Sequence, residues 1–125
     1  MAGILDPNRL VVGMQLPIQS QSTNFVEPWE GSAGPAELAD VARAADAAGF
    51  AYVAVCDHVA IPSEQISTMG ETSWDTVATL AWLAGITERV RLLSHVYVPA
   101  YRHPLQVAKA FSTIDAISGG RVERP

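Results

Sequence analysis

The sequence predicts an α/β protein in which parallel strands alternate with helices. Three observations predict it: short, nearly unbroken apolar runs suited to strands covered on both faces, alanine-rich stretches with helical spacing between them, and proline or glycine at the junctions. The order reads βαβαβα. Each helix must then return the chain to the same edge of the sheet, as right-handed crossovers do. Two architectures accommodate this order, an eight-unit barrel and an open doubly wound sheet. A dinucleotide-type sheet normally opens with a glycine-rich turn after its first strand, whereas "PIQSQSTNF" stands there. The (β/α)8 barrel of TIM type is therefore the expected class.

Each element has its own signal. "LVVGMQL", Leu10 to Leu16, is the first strand, ended by Pro17. The polar stretch from Gln19 to Pro35 is too long for a tight connection and reads as a functional loop. Pro35 is placed to open a helix over Ala36 to Ala48, with Leu38, Val41, Ala42 and Ala45 on one face and Gly49 to stop it. "YVAVC" is the second strand, and a second long loop runs from Val59 to Ser73. The second helix is expected over Trp74 to Gly85, with Ser73 as N-cap, Asp75 near the positive end of the dipole, and Val77, Ala78, Ala81 and Trp82 inward. "VRLLSHVYV", Val90 to Val98, is the third strand. Pro104 then opens a third helix, which Gly119 and Gly120 stop.

Composition narrows the class of function. A chain of 125 residues, 49% of them apolar, can bury one respectable core, as a single domain or a piece of a larger one. A net charge of −5, with Lys and Arg dispersed, leaves no basic surface for nucleic acid. The start "MAGILDPNRL" lacks a leader's basic-then-apolar pattern, and no run approaches the ~18 apolar residues of a membrane span. The single cysteine, Cys56, permits no intrachain disulfide and suits a reducing interior, so the cytoplasm is expected. Cys56 lies inside the strand pattern and is expected to be buried and inert. Three histidines with no cysteines or paired carboxylates at ligand spacing argue against a metal site.

The stretch that carries chemistry is the end of the second strand, "YVAVCDHVAIP", where Asp57 and His58 follow an apolar run. Both architectures place their sites at the carboxyl ends of strands, so Asp57, His58 and the "SHV" of the third strand, Ser94 to Val96, should converge. An imidazole exchanges a proton near neutral pH, and a neighbouring carboxylate can hold its tautomer or polarise a ligand. The structural alternative is that Asp57 caps the following loop and His58 is solvated. Arg102 and His103 could meet a phosphate or a carboxylate, but beside Pro104 they read first as residues leading into a helix with backbone partners. Trp29 and Trp74 stand at loop positions where an aromatic lines a pocket or packs on the core.

Taken together, "AAGFAYVAVCDHV", "RVRLLSHVYVPAYRHP" and "VAKAFSTIDAISGGRV" resemble, in order and spacing, the first part of luciferase-like monooxygenases, especially the branch that uses the deazaflavin coenzyme F420. The resemblance implies a barrel that binds F420 or FMN at the carboxyl ends of its strands. It also implies transfer of a hydride or oxygen to a small organic substrate. Asp57 and His58 match an acid–imidazole pair set against the cofactor ring, with His58 as the proton donor or acceptor. Ser94, His95 and Val96 match a strand end that carries a non-prolyl cis peptide, at His95–Val96. The imidazole of His95 departs from the small residue common there.

"GGRVERP" ends at what would be the start of a fourth strand, so three of eight units are expected, as the N-terminal portion of a barrel truncated before strand four. Three strands alone leave an unpaired edge. A homo-oligomer or a complementing chain is the expected partner, and a non-catalytic fragment that associates through that edge is the competing function.

Overall fold

A computed structural model of the chain describes residues 8, 10–20 and 22–123. Most of the start read for a leader, residues 1–7 and 9, and the closing residues 124–125 lie outside the described residues. Three parallel strands, β1 (Met14–Gln15), β2 (Tyr52–Val55) and β3 (Arg91–Ser94), form one sheet in the order β1-β2-β3. Four helices accompany them: α1 (Pro35–Ala47), α2 (Ile66–Met69), α3 (Thr76–Ile86) and α4 (Pro104–Ile117). Val122 forms a parallel bridge with Leu92. The chain beyond α4 thus returns beside β3, and the sheet grows in one direction without a reversal.

The register pairs Met14 with Val53, Val53 with Leu92 and Val55 with Ser94. Side-by-side partners in a sheet share a face. Val53, Val55 and Leu92 face the main core, where they meet Leu38 and Ala42 of α1, Leu80 and Leu83 of α3 and Ile114 of α4. The other face holds Gln15, Ala54 and Leu93, and of these Gln15 is exposed and Leu93 half-buried. α3 packs on β2 and β3 and touches both α1 and α4.

Local chemistry explains most boundaries. Pro35 opens α1, the Gly34 N–H donates to Glu37 Oε2 at 2.8 Å, and Gly49 ends the helix at φ 80°, a conformation open to glycine without a steric cost. β3 stops at Ser94 rather than running to Val98. The His95 N–H makes the last ladder bond, to Val55 O at 2.8 Å, the His95–Val96 peptide is cis, and the Val98 N–H turns to the Asp57 carboxylate. β1 is likewise only two residues long, where the apolar run suggested seven.

The expected cap of α3 needs correction. Asp75, not Ser73, is the N-cap, its Oδ1 accepting from the Ala78 N–H at 2.8 Å. Ser73 is held elsewhere, since it bridges Ser20 and the next residue, Trp74, donates its N–H to Gln19 O at 2.9 Å. The buried face of α3 is also rotated: Thr76, Thr79, Leu80 and Leu83 are buried, Val77, Ala81 and Trp82 only half-buried, and Ala78 exposed. The segment TVATLAWLAGI is apolar nearly all round, so its pattern marks no single inward face. Among the described residues, no helix is long and apolar enough to cross a membrane.

Candidate functional site

The carboxyl ends of β2 and β3 gather the titratable groups. Asp57 follows β2 and is 8% exposed. Its Oδ1 accepts from Arg102 Nη2 at 2.7 Å and from the Thr76 hydroxyl at 3.0 Å. Its Oδ2 accepts from Arg102 Nη1 at 2.6 Å and from the Val98 N–H at 2.9 Å. Burial alone would push the Asp57 carboxyl up. The Arg102 bonds, the Val98 N–H and the Thr76 hydroxyl outweigh it and hold the carboxyl below its ordinary value. The same bonds raise Arg102.

Arg102 is thus no bland residue leading into a helix. Its guanidinium lies 4.3 Å from the centroid of the Tyr97 ring, which meets Phe111 edge-on at 4.8 Å. The reading holds for His103, whose Nδ1 accepts from the Leu105 N–H at 3.3 Å at the start of α4. The carboxylate that Arg102 meets is one 45 residues earlier in the chain, and no local signal connects the two.

His58 is turned to a different place. It lines a cleft of about 330 Å³ with Val59, Ala60, Ile61, Ile66, Glu71 and Ser73, to which Asp57 does not contribute. Nδ1 of His58 and Oγ of Ser73 are both buried there and make no hydrogen bond among the described residues. Oγ of Ser94 is also buried and unpartnered, but the register sets it beside Val55, outside that cleft. His95 is exposed and Val96 is 61% exposed. The structure therefore brings Asp57, His58 and Ser94–Val96 to one end of the sheet and separates their side chains: Asp57 to Arg102, His58 to the cleft, His95 and Val96 to solvent.

The two long loops are joined at the same end. Thr23 donates its N–H to Thr68 O at 3.0 Å, and its hydroxyl reaches Ser67 O and Thr68 O. Glu30, 5% exposed, receives the Ile18 N–H at 2.7 Å and the Glu27 N–H at 2.9 Å, so the first loop folds back on the end of β1. Cys56 is buried and free, and its Sγ lies 3.5 Å from Nε2 of the Gln19 amide. Trp29 stays exposed, and Trp74 packs on the core.

Three parallel βα units, with Asp57 and His58 following the second strand, define an α/β protein. A model of the luciferase-like monooxygenase family matches residues 14–123, and the chain belongs to that family. It is 36% identical over 93 residues to an F420-dependent glucose-6-phosphate dehydrogenase of Nakamurella multipartita, covering 71% of this chain and 25% of that protein. The crystal structure of the monooxygenase RslO1 from Streptomyces bottropensis superposes with a TM-score of 0.66 at 28% identity, over 91% of this chain and 32% of the other. The coenzyme F420-dependent tetrahydromethanopterin reductase from Methanopyrus kandleri gives a TM-score of 0.63 at 26% identity, over 90% of this chain and 25% of the other. The chain spans about a quarter of the length of the curated relatives it matches, 25% and 22% for two of them.

Proposed function

We propose that this chain is part of an oxidoreductase that binds coenzyme F420, or alternatively FMN, at the carboxyl ends of its strands and acts on a small organic substrate. The observation that carries the reading is the pair of buried, unsatisfied polar atoms, His58 Nδ1 and Ser73 Oγ, on one cleft beside the end of β2. Buried polar atoms are otherwise almost always hydrogen-bonded, and a ligand with a polar ring edge would satisfy both once the two side chains turn toward it in the cleft. The preference for F420 rests on the relatives named as F420-dependent.

The same proposal extends to the fold. The three units are the first of a (β/α)8 barrel, supported by the sheet order β1-β2-β3 continued by Val122 beside β3. A dinucleotide-type sheet places its fourth strand on the opposite side, next to the first.

The bound cofactor supplies a ring that takes up or gives up a hydride. The chain's own residues do the rest. His58 holds or passes a proton at Nδ1, and Ser73 offers a hydroxyl that both donates and accepts. Val59, Ala60, Ile61 and Ile66 supply the apolar part of the cleft lining against which a ring would lie. His95 and Val96, exposed past the end of β3, are the further contact surface.

Titration of the chain with F420 and with FMN, followed by cofactor fluorescence, tests this. The expected result is saturable binding of one cofactor, weakened about tenfold by His58→Ala, the worth of one lost buried hydrogen bond. A folded chain that binds neither overturns the reading.

A further inference from the structure

We infer that Arg102 is a positioning residue for this site: through Asp57 it fixes the segment that follows β3 against the end of β2, beside His58. The inference rests on the oxidoreductase reading above for its effect on cofactor. The geometry on which it stands is independent of that reading.

The Asp57 carboxylate is engaged on both oxygens. Four donors reach its two oxygens, and they come from three places: Arg102 twice, the Val98 N–H, and Thr76 at the start of α3. The Thr76 hydroxyl also lies 2.8 Å from Cys56 O, so its one proton is shared between two acceptors and the start of α3 and the end of β2 are tied at one point. Arg102 closes a second link by donating from Nη1 to Val98 O at 3.2 Å. Residues 98 and 102 are therefore held by one carboxylate and one guanidinium, with the cis His95–Val96 peptide just ahead of them. Tyr97, 8% exposed, is pinned between the Arg102 guanidinium and the edge-on Phe111 ring of α4.

A carboxylate gripped on both oxygens by one guanidinium is committed to that partner. Asp57 thus acts on the site through Arg102 and not by touching a ligand. Its service to His58 is to hold the backbone from which the imidazole projects, together with the strand end that carries His95 and Val96. Only a planar fork meets both carboxylate oxygens at once, and a lysine would keep the charge and lose the fork.

The test uses Arg102→Lys, with Arg102→Met as the variant that also removes the charge. In the chain without cofactor, side-chain nuclear magnetic resonance spectra resolve the three histidines, assigned with His58→Ala. Arg102→Lys is expected to move the His58 and His95 resonances, the latter assigned with His95→Ala, with the chain still folded. F420 or FMN affinity should then fall about tenfold, as for loss of one charged hydrogen bond, and fall further in Arg102→Met. Unmoved His58 and His95 resonances in Arg102→Lys would overturn the inference. So would unfolding of the lysine variant, which would make Arg102 a determinant of the whole fold. A wild-type chain that binds no cofactor sinks the oxidoreductase reading, while the resonance shifts still decide the positioning role.

Discussion

At the scale of single residues, two buried aspartates, Asp46 and Asp57, work alike. Asp46, near the end of α1, accepts from the N–H groups of Glu88, Arg89 and Val90 at 2.8, 2.9 and 2.6 Å. Burial pushes its carboxyl up, and the three N–H donors, helped by Arg89, hold it below the usual value. Asp57 is held low by Arg102, Val98 and Thr76 against the same burial. A carboxyl depressed in the folded state stabilises fully above the ordinary aspartate value of about 3.9, and that contribution is lost as pH falls through the lower folded value. Acid unfolding followed by circular dichroism should therefore begin below about pH 4, and Asp57→Asn should flatten that limb. At neutral pH the same substitution leaves a half-buried Arg102 without its carboxylate partner and should lower stability by about 2 kcal/mol in urea titrations. The Asp57-His58 pair was legible because two titratable residues after an apolar strand stand out. The partner was not, because nothing near Arg102 in the chain points to a carboxylate 45 residues away.

At the scale of elements, the helices follow local rules and the strands follow neighbours. Pro35, Pro104, Gly49 and Gly119 sit where helices start or stop, and these boundaries were readable. The cap of α3 was not, since Ser73 and Trp74 are drawn into the loop after β1 and the helix starts after Asp75 instead. Asp75→Ala should cost about 1 kcal/mol and Ser73→Ala nothing measurable in thermal melts. An equal loss in both would return the cap to Ser73. Gly49→Ala forces a side chain into a left-handed residue at φ 80° and should cost about 1 kcal/mol by the same measurement.

At the scale of the whole molecule, one residue stitches the far ends of the elements. Arg121 donates to Ser118 O at the end of α4, to Ala84 O and the Thr87 hydroxyl at the end of α3, and to Val90 O before β3. Its burial lowers the guanidinium pKa. Arg121→Met should cost about 3 kcal/mol in urea, from loss of charged hydrogen bonds that leave several carbonyls unpaired. A change under about 0.5 kcal/mol, the range of an ordinary surface substitution, would show those carbonyls satisfied by solvent. The alternation of apolar runs and alanine-rich helices by itself determined that this protein has parallel strands and in which order they come, with Asp57 and His58 set after the second. Those properties follow from spacing along the chain. Only the tertiary structure decided which face of α3 is buried, where β3 ends, and that Asp57 serves Arg102 while His58 faces a cleft. Each of these depends on hydrogen bonds and packing between residues distant in the chain, and periodicity carries no information about such partners.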